Sequence, residues 1–157
     1  MRGDPAEWES MGPTAVSIGV FDGVHVGHRR VLAGLVAEAN EIGVVPAVLT
    51  FDPHPLEVLN PERAPGMLTT IDQRIEQFEQ IGIGLVGVIA ISDVRHLLPD
   101  EFARSVLHEK LNARQVTVGA DFRFGKGREG DAEFLRGIGS ELGWTVDVVD
   151  MFGLHHG

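Results

Sequence analysis

From Val16 onward the chain alternates between two patterns: short, nearly continuous apolar runs, and longer stretches where apolar residues return every three or four positions. The runs Val16–Phe21, Val44–Phe51, Leu85–Ile91, Val116–Gly119 and Trp144–Val149 predict five strands, the first two of them buried. Between the first two, Val31, Leu32, Leu35, Val36 and Ala39 fall at helical spacing. Thr70 with Gln73 forms a capping-box pattern ahead of the stripe Ile71, Ile75 and Phe78. Pro99 suits a first helical turn, and Phe102, Val106, Leu107 and Leu111 give that helix an inner face. Asp131 is placed to cap a last helix carrying Phe134, Leu135, Ile138 and Leu142. Five strands separated by four helices predict an α/β fold, a parallel sheet with helices on both faces.

The 157 residues fit one domain, and no repeat, low-complexity tract or linker divides them. Residues 1–13 read as a loose N-terminal tail and residues 14–157 as the domain. Apolar residues make up 43% and charged residues 23%, the balance of a globular chain. Cysteine is absent, which excludes a disulfide scaffold, a thiolate metal site and a cysteine nucleophile. A net charge of −10 argues against sequence-independent nucleic-acid binding, which needs Lys and Arg to neutralise phosphates. The N-terminus lacks the apolar core of a signal peptide, and the longest apolar stretch, Gly82–Ile91, is far short of the ~20 residues of a membrane helix. The expectation is a soluble, cytoplasmic protein with small-molecule substrates and no nucleic-acid or membrane partner.

Ligands of parallel sheets bind beyond the carboxyl ends of the strands. Three loops there are chemically unusual: Phe21–His28, Phe51–Pro55 and Gly119–Asp131. In the first, Gly23 and Gly27 remove side chains where a ligand approaches the backbone, and a helix start offers free N–H groups to an anion. His25 and His28 lie three apart, on one face of the first helical turn, and both can donate to one phosphate chain. That arrangement suits attack on a nucleotide phosphate, where catalysis is positioning plus charge stabilisation. Taken singly, each histidine is an ordinary helix-start residue; two with two glycines in one strand-to-helix turn favour function. A metal site from His25, His28 and His54 finds no acidic residue at a known spacing, so the metal ligands stay unassigned, with Asp22, Asp52 and Asp121 as candidates.

In the second loop Pro53 and Pro55 fix the backbone around His54, and Phe51 adds an apolar wall suited to a planar ligand; a plain rigid turn is the alternative. The third loop, Val118–Asp131, gathers three cations, two aromatics and four glycines in fourteen residues. On an acidic chain this reads as a pocket for an anion with an aromatic part, against the alternative of a solvated surface loop. Gly125–Gly130 also matches G-x-G-x-x-G, with Asp147 or Asp150 at the distance of a ribose contact, but Asp121 and Arg123 interrupt the apolar run that this fingerprint requires before it.

The run G-x-F-D-x-x-H-x-G-H over Gly19–His28 resembles the signature of the nucleotidyltransferase superfamily, which has a Rossmann-like sheet. With F-D-P-H-P at Phe51–Pro55 and V-G-x-D-F-R-F-G-K-G-R-x-G-D at Val118–Asp131, the chain from about Val16 to Val149 is similar to the FMN adenylyltransferase module of prokaryotic bifunctional riboflavin kinase/FAD synthetases. The resemblance implies the reaction of ATP with FMN to give FAD and pyrophosphate, with Mg²⁺. It implies catalytic roles for His25 and His28 on the ATP phosphates, and a nucleotide pocket from Gly19, Phe21, Asp22, Gly23 and Gly27. It implies a flavin site from Phe51, Pro53, His54, Pro55, Phe122, Phe124 and Gly125, with Asp121 and Arg128 as further members. Family members continue into a Ser-Ser-Thr-x-x-Arg type segment that helps to bind ATP, and then into a riboflavin kinase domain. The expectation is therefore the adenylyltransferase part alone, without flavin phosphorylation. A non-catalytic flavin- or nucleotide-binding fragment, and an H-x-G-H transferase with another acceptor, are the alternatives.

Overall fold

The computed structural model describes residues 5, 8–10, 12–19, 26–51, 71–90, 94, 96–120, 122–124, 126 and 129–149. Strands β1 (Thr14–Ile18), β2 (Val45–Phe51), β3 (Leu85–Ile89), β4 (Ala113–Gly119) and β5 (Thr145–Val149) form one sheet in the order β3-β2-β1-β4-β5. Every pairing is parallel. The α/β reading, a five-stranded parallel sheet of Rossmann-like type with helices on both faces, holds.

Helix α1 (Val26–Ile42) joins β1 to β2, and α2 (Ile71–Ile81) precedes β3. Helix α3 (Pro99–Phe102) runs on as a π-helix over Ala103–Lys110, and α4 (Ala132–Leu142) joins β4 to β5. Side chains alternate across a strand, so neighbouring strand residues serve opposite cores. Ala15 and Val48 pack with Leu32, Leu35 and Ala39 of α1 and Phe78 of α2. Val16, Ile18, Ala47 and Leu49 face the other way, onto Phe102, Val106, Leu107 and Leu135. The apolar stripes read from the sequence supply most of this packing, although in α2 Phe78 is buried while Ile71 and Ile75 are only partly so, and Arg74, outside the stripe, is buried beside it.

Three details differ from expectation. β1 begins two residues early and ends at Ile18, with Gly19 a bend that donates its N–H to the Leu49 carbonyl at 3.0 Å; Val20 and Phe21 lie outside the described residues. β4 starts at Ala113, because Ala113 and Gln115 are buried in pairing with β1 although Arg114 and Gln115 break the apolar run. The segment expected to be a loose tail contributes Trp8, only 6% exposed in the larger core. Its ring lies over Gly87 of β3, and Lys110 Nζ donates to its carbonyl at 2.7 Å. Thr70 of the expected capping box lies outside the described residues.

Candidate functional site

Parallel strands place all their carboxyl ends on one edge of the sheet. The strand order sharpens the location. From β1 the chain steps outward to β2 and β3, then crosses back and steps the other way through β4 to β5. The crevice over the carboxyl ends of β1 and β4 is therefore the topological switch point, where open α/β sheets bind ligands. In chain order the first unusual loop follows β1 and the third follows β4, the two strands that flank this switch point.

On one side stands α1. Gly27 and His28 lie in its first turn, with His28 half-buried and engaged with a neighbour in the fold. That turn holds no acidic side chain to compete for an anion at the helix's positive end. Gly19 follows the end of β1 at Ile18. Phe21, Asp22, Gly23 and His25 lie outside the described residues, as do Pro53, His54 and Pro55. Phe51, the last residue of β2, is 9% exposed and packs in the same core as Phe124.

On the other side the loop after β4 folds back on itself. Phe124 and Gly130 exchange backbone hydrogen bonds of 3.0 and 2.9 Å. The Phe124 ring lies so close over Gly130 that a Cβ there would meet its Cε1 at 2.5 Å, so only glycine admits the contact. Phe124 is 7% exposed and packs against Phe102 and Phe134, with ring centroids 5.4 and 6.1 Å away. Phe122 stacks on it at 5.5 Å with the planes 17° apart, and is itself only half-buried. Of the two aromatics, Phe124 is the buried support and Phe122 the ring with open surface. Asp121, Gly125 and Arg128 lie outside the described residues.

Two anchors of this loop carry no periodic signal in the sequence. Asp131 caps α4, its Oδ1 accepting the Phe134 N–H at 2.9 Å, while its Oδ2 accepts from Arg123 Nη1 at 2.8 Å. The Phe134 N–H, with Arg123 adding to it, holds the Asp131 carboxyl below its ordinary range. The Lys126 N–H donates to the Leu97 carbonyl at 2.6 Å, tying the loop to the segment ahead of α3. Composition picks out the loop as unusual, yet only the fold shows which of its charges close it. The start of α1 and the Phe122–Phe124 stack thus follow β1 and β4, the two neighbouring strands at the switch point.

No group of three metal-ligating side chains occurs among the described residues, and no helix among them is long and apolar enough to cross a membrane. The family of FAD synthetases matches residues 8–157. A bifunctional riboflavin kinase/FMN adenylyltransferase of Pseudomonas fluorescens is 38% identical over 142 residues, 88% of this chain and 45% of that one. The protein of the same description from Escherichia coli K12 is 35% identical over 139 residues, 87% of this chain and 44% of that one. The chain thus spans less than half the length of these relatives. A crystal structure from Streptococcus pneumoniae, described as a macrolide-efflux protein, shares the fold: TM-score 0.77 at 21% identity, over 94% of this chain and 49% of that one.

Proposed function

Because the chain belongs to the FAD synthetase family, we propose that it transfers the adenylyl group of ATP to FMN, giving FAD and pyrophosphate. A phosphate oxygen of FMN attacks the α-phosphorus of ATP. The bond from that phosphorus to the oxygen bridging to the β-phosphorus breaks, and pyrophosphate leaves with the electron pair. No protein nucleophile takes part, in keeping with a chain that contains no cysteine.

The observation that supports this reading is the strand order, which makes β1 and β4, the strands followed by the two chemically unusual loops, neighbours at the switch point. The start of α1, with His28 and the proposed partner His25, holds the nucleotide phosphates and steadies charge moving onto pyrophosphate. Gly19, Phe21, Asp22, Gly23 and Gly27 leave room for the nucleotide. Phe51, Pro53, His54, Pro55, Asp121, Phe122, Phe124, Gly125 and Arg128 form the flavin side, with Phe122 offering its open surface. Mg²⁺, when bound, neutralises phosphate charge; arriving with ATP it needs one or two protein carboxylates, and Asp22, Asp52 and Asp121 are the candidates. The proposal includes a cytoplasmic location, and a domain of residues 14–157 that works beside a riboflavin kinase domain in the whole protein.

Incubation with FMN and Mg-ATP tests the reading. FAD and pyrophosphate should appear in equal amounts, with no product from CTP, and none when pantetheine phosphate or nicotinamide mononucleotide replaces FMN. His28→Ala should lower kcat about 10²–10³-fold, the cost of losing one donor to transition-state charge, while FMN affinity stays within about twofold. FMN and ATP binding without FAD would show a binding module instead. Turnover with another acceptor would move the chain elsewhere among the transferases.

A further inference from the structure

We propose that Arg123 is a positioning residue for the flavin acceptor: through Asp131 it closes the neck of the loop after β4 and so fixes the ring of Phe122. The inference rests on the adenylyl-transfer reading of the same crevice and adds to it a residue outside the binding set.

Arg123 stands between the two stacked aromatics, so any swing of its backbone carries both rings. It is joined at 2.8 Å to Asp131, on the returning arm of the loop. Asp131 cannot follow a moving partner, because its other oxygen is held by the Phe134 N–H at the start of α4. The ion pair therefore fastens the outgoing arm to a rigid helix. Just inside it, the Phe124–Gly130 backbone pair continues the closure, and the buried Phe124 ring fills the space beneath. Phe122 is the ring of the stacked pair that keeps open surface, and its inner contact is the stack on Phe124. An exposed ion pair is ordinarily worth little. Here its energy sets the tilt of the ledge that receives a planar ligand, so it is expressed in acceptor binding and not in the chemical step.

The experiment compares wild type with Arg123→Ala, Arg123→Lys and Asp131→Ser, the last chosen because serine still caps the helix but carries no charge. Steady-state FAD formation is measured at varied FMN and at varied ATP. Amide hydrogen exchange is followed at Phe124 and Gly130. Arg123→Ala and Asp131→Ser should each raise KM for FMN by about 1.5- to fivefold, with kcat and KM for ATP unchanged. Arg123→Lys should recover most of the loss, and the double variant Arg123→Ala/Asp131→Ser should be no worse than either single one. The Phe124 and Gly130 amides should exchange faster in Arg123→Ala by a similar factor. Additive losses, a fall in kcat alone, or exchange equal to wild type would each overturn the role of Arg123. A wild-type chain that forms no FAD would overturn the adenylyl-transfer reading itself, whereas unchanged FMN KM in variants of an active chain would overturn only this inference.

Discussion

Replacing Trp8 by alanine should unfold much of what holds β3 in place. The indole is 6% exposed and lies in the core with Leu49, Ile89 and Val106. A tryptophan of this kind buries roughly 150–250 Å². At about 25 cal/mol per Å² that is about 4–6 kcal/mol, an upper bound because unfolded chains already bury part of their surface. Measured truncations of buried aromatics fall at about 3–5 kcal/mol, and that is the loss expected here. It would remove a large share of the roughly 5–15 kcal/mol that holds an ordinary domain together. The Lys110 bond survives the change, since it goes to the backbone carbonyl. Urea unfolding followed by far-ultraviolet circular dichroism measures the loss directly. The companion variant Gly87→Ala adds a second, sharper check. Its Cβ would stand 2.8 Å from the indole Cη2, so in the wild-type background it should destabilise by about 1–3 kcal/mol. Once the indole is gone most of that cost should vanish, though Leu49 Cδ1 at 3.0 Å will keep a part of it. A Trp8→Ala loss below about 1 kcal/mol, with the two changes simply additive, would refute burial of the N-terminal segment.

Gly130→Ala should drive the Phe124 ring out of contact with Phe102 and Phe134, costing about 1–3 kcal/mol and raising KM for FMN; thermal unfolding and FAD kinetics report the two effects. Asp131→Ala removes the α4 cap and should lower the unfolding midpoint at neutral pH. The Asp131 carboxyl is held below its ordinary 3.8 in the fold, so its stabilisation is full above that value and is lost as pH falls further, through the lower value it has in the fold. Wild type and Asp131→Ala should accordingly converge in stability on acidification, which unfolding curves from pH 7 down to pH 3 will show.

What could be read in advance follows from how each feature is encoded. The apolar runs and stripes are local and repeat at fixed periods, so Leu32, Leu35, Phe78, Phe102, Val106 and Leu135 declare their helices and their burial together. Pro99 and Asp131 declare helix starts for the same reason: each satisfies a backbone requirement within its own turn. Trp8 escaped because a lone aromatic in a polar stretch has no period, and its partners Gly87 and Lys110 are distant in the chain. The same holds for the Arg123–Asp131 closure and the Lys126–Leu97 tie, which exist only once the loop has folded back. Ala113 and Gln115 were hidden by composition, since a strand at the centre of the sheet can carry polar residues when its neighbours bury them. Phe122 and Phe124 looked alike in sequence, and only packing separated the supporting ring from the accessible one.

The strand order also dictates when during its synthesis the protein acquires a ligand site. Thr14 of β1 pairs with Val45 on one side and with Ala113 on the other. The first contact closes a short stretch of chain; the second must wait until the whole of β2, β3 and the long helical crossover has emerged. A nascent chain can therefore settle β1, β2 and β3 together while one edge of β1 stays open. Through that interval the crevice has a single wall, and the proposed nucleotide and flavin would each meet only part of their site. A ligand of the crevice recognises only chains in which β4 has docked, and by mass action draws the half-built sheet to completion. Substrate supply would then act as a folding aid, most of all for variants weakened far from the crevice, such as those at Trp8.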